Sequence, residues 1–138
     1  MKSSILAAAF ISLASITACG QGGTDAKDIT RSSSGSQIGQ AYLKELTTIA
    51  DALDSVKDES SARAAAAKIR SASTALEGMN DELGQGDMSP LKAMQIYGSH
   101  GQAISETYGR IMTSFLRIHE QHPELVEIIS NEMDRIGR

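Results

Sequence analysis

The sequence predicts an all-α protein: an antiparallel bundle of three long helices plus a short C-terminal helix, placed after a signal peptide and a flexible linker. Between residues 38 and 138, apolar residues recur at steps of three and four, as on one face of an α-helix. No window in this region alternates apolar and polar residues as a half-buried β-strand would. Roughly one hundred residues make one domain, so we assign 38–138 to a single helical bundle.

Each long helix is predicted from its own apolar seam. The first seam has five members: Tyr42, Leu46, Ile49, Leu53 and Val56. The second is rich in alanine: Ala62, Ala65, Ile69, Ala72, Leu76, Met79 and Leu83. The third is the longest: Met94, Tyr97, Gly101, Ile104, Tyr108, Ile111, Phe115 and Ile118. Seams of this kind pack helices against one another.

Helix-boundary residues fall between these seams. Asp58–Ser61 offers N-cap candidates ahead of the second helix. Gly84 and Gly86 are predicted to end it, because glycine tolerates positive φ. Ser89 then precedes Pro90, which places a capping hydroxyl before a proline at the first helical position.

The chain after His122-Pro123 has two interpretations, a short fourth helix or a bent extension of the third. Proline cannot donate a backbone hydrogen bond and disfavours helical geometry in the residue before it. If the third seam continued without a shift, Glu132 would point inward. We expect a shifted register that turns Met133 inward, since an unpaired buried carboxylate is costly.

Glycines lie inside the third predicted helix, where each costs about 1 kcal/mol relative to alanine. One explanation is that Gly98 and Gly101 receive the bulk of Tyr42 or Leu46 from a facing helix. The other is a groove for a partner helix or a ligand. We expect the first.

Residues 1–18 are predicted to be an export signal. Lys2 supplies a positive charge, Ile5–Ile16 an apolar core, and small residues lead to the lone cysteine, Cys19. An apolar run of roughly twelve residues is too short for a transmembrane helix, which needs about twenty. An ordinary cleaved signal would leave one unpaired cysteine on an exported chain, where cysteines usually form disulfides.

The four residues Ile16-Thr17-Ala18-Cys19 resemble the signal motif of bacterial lipoproteins, a branched apolar residue and two small residues before a cysteine. The resemblance implies cleavage before Cys19, lipidation of its thiol and amine, and a membrane-anchored mature chain. Several acyl chains would hold the protein stably, whereas one binds only marginally. Gly20 follows the cysteine in place of the aspartate that retains lipoproteins in the inner membrane. The resemblance therefore implies the outer membrane, with the domain in the periplasm.

Residues 19–37 follow the signal and are rich in glycine and serine. Such a segment carries little apolar surface to offset the entropy lost on ordering. We interpret it as a flexible tether, and the alternative is a loop that packs on the domain.

The charge of the mature chain disfavours nucleic acid as a partner. Residues 1–18 contain one of the 13 basic residues and none of the 17 acidic ones, which leaves 12 against 17 and a net charge of −5. The basic residues are scattered, whereas a nucleic-acid binder clusters them on one face. We expect the lipid on Cys19 to supply the membrane contact and another envelope protein to be the partner.

The sequence carries no catalytic constellation, so we expect no enzyme and no cofactor. The sole cysteine is assigned to the lipid, and no serine lies in a Gly-x-Ser-x-Gly turn. His119 and His122 are three residues apart and could share a helix face, which makes them weak metal-ligand candidates. A metal- or small-ligand-binding bundle is thus the alternative to a protein-interaction module.

A segment at the predicted start of the second helix, residues 56–67, resembles helix starts in small uncharacterised lipoproteins of bacteria. This resemblance rests on 12 of the 120 residues of the mature chain. It agrees with the envelope assignment and implies no activity.

Overall fold

The computed structural model describes residues 24–84 and 90–134. These residues form four α-helices and no β-strand, so the predicted all-α class is confirmed. The helices are α1 (Gly35–Asp54), α2 (Glu59–Leu83), α3 (Pro90–Gln121) and α4 (Pro123–Met133). A single turn of 3-10 helix, Ala26–Asp28, precedes α1.

The four helices form a ring in which each helix packs on two others. α1 and α4 both contact α2 and α3, and within the described residues there is no close backbone contact between α1 and α4 or between α2 and α3. α1 and α3 run parallel, because Gly39 lies against His100 near one end of the pair and Asp54 bonds Ser114 near the other.

α1 is the most deeply buried helix, and its predicted seam is confirmed. Leu46, Ile49, Leu53 and the following Val56 are fully buried. Burial of each such side chain contributes roughly 1.5–3 kcal/mol. The helix begins at a capping box, in which the Ser34 hydroxyl accepts from the backbone N–H of Gln37 and the Gln37 side chain accepts from the backbone N–H of Ser34.

α2 begins and ends where its boundary residues predict. The Asp58 carboxylate accepts from the backbone N–H of Ser61 at 2.8 Å, and the Ser61 hydroxyl accepts from the backbone N–H of Asp58. This capping hydrogen bond lowers the pKa of Asp58. Gly84 ends the helix at φ 76°, a conformation that favours glycine. The predicted boundary residues Gly86 and Ser89 lie outside the described residues.

Helical geometry is interrupted at His122, so the C-terminal segment is a separate helix and not a bent extension of α3. His122 adopts φ −142° and ψ 58°, and Pro123 opens α4 at its first position. The expectation that Met133 points inward in place of Glu132 was wrong, since Glu132 is buried and Met133 is partly buried. Burial is tolerated because Nε of Arg70, on α2, donates to the Glu132 carboxylate at 2.9 Å.

The described part of the predicted linker packs against the bundle. Ala26 and Ile29 are buried against α1 and α2. Asp25 pairs with Lys44 on α1, and the Arg31 guanidinium donates to a backbone carbonyl near the end of α2. From residue 24 onward the chain therefore matches the alternative, a loop that packs on the domain. The average composition of the segment is rich in glycine and serine, but the apolar side chains of Ala26 and Ile29 supply buried contacts with the bundle. α1 begins at residue 35, before the predicted boundary at 38. Residues 19–23 lie outside the described residues.

Candidate functional site

All five large hydrophobic side chains that are exposed among the described residues lie on α3. They are Met94, Tyr97, Tyr108, Met112 and Leu116. Met94, near the start of α3, is 71% exposed, and Leu116, near its end, is 51% exposed. Exposed hydrophobic side chains therefore occur along most of the helix. Helical spacing places small residues among them on the same side. We call this surface the outer face of α3: Met94, Tyr97, Gly98, Gly101, Ser105, Tyr108, Met112 and Leu116.

The outer face carries no charged side chain. Between Met94 and Leu116 the only Asp, Glu, Lys or Arg residues are Glu106 and Arg110, and both lie on other sides of the helix. Arg110 reaches across to α1, and Glu106 accepts a hydrogen bond from Gln102 at 2.9 Å. The result is an uncharged strip about 33 Å long at 1.5 Å per residue.

The predicted seam of α3 merges two different faces of the helix. Ile104, Ile111 and Ile118 point inward and are buried, as predicted. Met94, Tyr97 and Tyr108, which were assigned to the same seam, lie on the outer face. The reason is the ring arrangement: within residues 24–84 and 90–134, α3 packs on α1 and α4 alone, so the covered side of α3 is narrower than its apolar surface.

The glycines of α3 do not receive side chains from α1, so that expectation was wrong. A Cβ placed on Gly98 would meet nothing within 4 Å, and one on Gly101 would meet only Tyr97 of the same helix. The close approach between α1 and α3 occurs instead at Gly39. A Cβ there would lie 2.6 Å from the ring of His100. Gly98 is therefore open on the outer side, and Gly101 is bordered by the Tyr97 side chain of its own helix.

Polar contacts fix α3 against α1 on the side away from the outer face. The Arg110 guanidinium donates to Asp51 at 2.8 Å and to Asp54 at 2.6 Å, and the Ser114 hydroxyl donates to Asp54. The Ser114 hydrogen bond, followed by the Arg110 guanidinium, lowers the pKa of the Asp54 carboxyl. These contacts hold α3 in a defined rotation about its own axis, which keeps the outer face turned to solvent.

Arg117 caps the C-terminal end of α1 from the neighbouring helix. Its guanidinium donates to the backbone carbonyl of Leu53 at 3.0 Å and to that of Val56 at 3.2 Å. Carbonyls at a helix end lack partners within the helix, and a cation there also interacts favourably with the helix dipole. Sequence analysis missed this role, because the two partners lie more than sixty residues apart in the chain.

A tyrosine pair borders the outer face next to α1. The hydroxyl groups of Tyr42 and Tyr108 are hydrogen-bonded at 2.6 Å. Burial, together with this hydrogen bond, raises the pKa of Tyr42. The Tyr42 phenol therefore stays neutral at physiological pH and adds no charge to the border.

The histidine candidates lie at the junction of α3 and α4. His119 is exposed in the last turn of α3, and Nδ1 of His122 lies 3.5 Å from the Glu124 carboxylate. The part of the chain that the structure describes contains no group of three or more His, Cys, Asp or Glu side chains that could hold a metal ion. Cys19 and the predicted signal, residues 1–18, lie outside the described residues.

No described helix is both long enough and apolar enough to cross a membrane. Comparison of the chain with protein-family models, with curated proteins and with solved structures returns no match.

Proposed function

We propose that this protein is a lipid-anchored lipoprotein of the bacterial envelope that acts, without catalysis, as a protein-interaction module through the outer face of α3. One observation carries the proposal: every exposed large hydrophobic side chain of the described residues lies on this one helix. Scattered exposed hydrophobics need no explanation, whereas a contiguous patch marks an interaction surface.

The size and chemistry of the outer face support a protein partner. The five exposed methionine, leucine and tyrosine side chains present on the order of 100 Å² each, so the face offers roughly 500 Å². Its lack of charge favours an apolar protein surface over nucleic acid, which would require a basic patch. Tyrosine and methionine are also enriched in protein interfaces.

The position of the protein in the cell is proposed from the signal motif. Ile16-Thr17-Ala18-Cys19 resembles a lipoprotein motif, which implies a lipid on Cys19 and attachment to the outer membrane with the bundle in the periplasm. An anchored module meets partners at the membrane surface, where confinement raises the effective concentration.

Crosslinking in intact envelopes tests the interaction surface. A photo-activated amino acid is incorporated at position 112 on the outer face and, as the matched control, at the exposed position 68 on α2. We expect a discrete crosslinked protein from position 112, in at least tenfold excess over position 68. Equal, diffuse crosslinking from both positions would contradict the proposal.

The anchor is tested separately by Cys19→Ser in cells labelled with a radioactive fatty acid. We expect loss of acyl labelling together with release of the protein or a block in its processing. Unchanged labelling and membrane attachment would show that Cys19 is not the lipidation site.

A further inference from the structure

Large and small residues follow a particular order along the outer face. Small residues occupy its centre, Gly101 and Ser105, and large ones lie toward its ends, Met94 on one side and Met112 followed by Leu116 on the other. Between centre and ends, Tyr97 and Gly98 lie on one side and Tyr108 on the other. The residues of the outer face are therefore small in its middle, and the residues on the two sides of the middle differ in size.

This order is complementary to itself when one of two copies is reversed. If Gly101 lies opposite Ser105 of a second copy, Tyr108 lies opposite Gly98. The same register brings Met94 opposite Met112. A large residue then meets a small one in the flanking layers, which is how antiparallel helices interdigitate. A two-fold axis would generate each contact twice from one patch.

We infer that the occupant of the outer face is a second copy of this chain, bound so that the two α3 helices pack antiparallel about a two-fold axis near residue 103. This inference rests on the proposed function, because it takes the outer face as the interaction surface. The absence of charge on the face allows it, since pairing brings no like charges together.

The available area matches a weak specific dimer. Two outer faces together bury at most about 1,000 Å², which lies in the range of weak protein–protein complexes. The exposed backbone at Gly98, where an added Cβ meets nothing within 4 Å, lets the helices approach closely. Close approach increases the contact made by each of the large side chains.

Anchoring on a membrane would strengthen such an interface. The start of α1 lies beside the N-terminal half of α3, because Gly39 contacts His100. Antiparallel pairing thus places the two N-terminal segments at opposite ends of the dimer. Both lipids reach one membrane when the α3 pair lies along its surface, and confinement there raises the local concentration of chains.

Paired cysteine substitutions in the full-length, membrane-bound protein test the register. Met94 and Met112 are about 27 Å apart along one helix, so cysteines at these positions cannot be joined within one chain. The double variant Met94→Cys/Met112→Cys, treated in intact envelopes with a short thiol crosslinker, is expected to give a covalent dimer. The two single variants are the matched controls, and the parental chain reports any contribution from Cys19.

We expect at least tenfold more crosslinked dimer from the double variant than from either single variant. Self-crosslinking of each single variant would indicate parallel pairing and would overturn the inference. So would absence of any dimer while position 112 photocrosslinks to a different protein, a result that leaves the proposed function standing. Absence of every crosslink from the outer face would overturn both.

Discussion

α1 and α3 lie side by side and have similar apolar spacing, yet their surroundings differ. α1 has 20 residues and carries four of the core's fully buried large side chains on its seam or directly after it. α3 has 32 residues, buries a row of isoleucines and leaves five large hydrophobics in solvent. α1 stabilises the fold through its buried side chains. α3 also stabilises the fold with its inner side, but its outer side presents an uncovered apolar surface.

The comparison shows that apolar periodicity identifies the apolar face of a helix but does not show whether other helices cover that face. α1 contacts α2, α3 and the 3-10 turn, so its large apolar side chains are buried or partly buried within the chain. Among the described helices α3 touches only α1 and α4, and α4 has 11 residues, which is too short to follow α3 along its length. The apolar surface left over on α3 is available to a partner.

Truncation of one leucine in each helix gives the largest contrast. Leu46→Ala, at a fully buried position in α1, is expected to lower the free energy of unfolding by about 3 kcal/mol through lost burial and a cavity. Leu116→Ala, on the outer face, is expected to cost less than about 1 kcal/mol. Urea unfolding of the dilute protein measures both, and equal losses would contradict the assignment of the outer face to solvent.

Removal of the cap on α1 is expected to have the next largest effect. Arg117→Ala leaves the carbonyls of Leu53 and Val56 without the guanidinium and should cost about 2 kcal/mol. Arg63→Ala is the matched control, since Arg63 pairs only with Glu59 on the exposed side of α2 and should cost less than about 0.5 kcal/mol. If thermal unfolding gives the two variants the same stability, the capping role of Arg117 is wrong.

Alanine substitutions at two glycines should act in opposite directions. Gly39→Ala places a Cβ against the His100 ring between α1 and α3 and is expected to destabilise the protein by about 1–3 kcal/mol. Gly78→Ala, in α2, meets nothing within 4 Å and should stabilise by up to about 1 kcal/mol through helix propensity. Denaturation midpoints decide the signs, and stabilisation by Gly39→Ala would show that α1 and α3 are less tightly packed than described.

The smallest expected effect is a change in the pH dependence of stability. The pKa of Asp54 is lower in the folded protein than in the unfolded chain, so its contribution is complete above about pH 4 and is lost as the pH falls through the folded pKa. Asp54→Asn should therefore lose less stability between neutral and acid pH than the parental protein does. Identical profiles for Asp54→Asn and the parental protein would contradict the Asp54 contacts.

Most of the fold follows from sequence, because it depends on local signals. The alternation of three and four predicts α1 and α2, and the Asp58 and Gly84 boundaries follow from capping chemistry. The 3-10 turn was missed because Ala26 and Ile29 are isolated apolar residues in a polar segment. Glu132 was assigned the wrong orientation because its partner, Arg70, is 62 positions away, a distance at which no spacing rule applies.

The sequence indicated only part of the candidate site. The glycines of α3 raised the question of a groove, yet the choice between a covered and an open surface depends on which helices surround α3. Composition cannot supply that information, since Met94 and Ile104 fit the same seam. The separation appears only when the lengths and contacts of α1 and α4 are known.

Oxidation footprinting of methionines tests most directly whether the outer face of α3 is a contact surface. Met94 and Met112 are compared between intact envelopes and the purified protein at high dilution, with Met79, 5% exposed, as the buried control. We predict that both become at least several-fold less oxidised in envelopes while Met79 stays protected in both states. Equal oxidation of Met94 and Met112 in the two states would contradict the account.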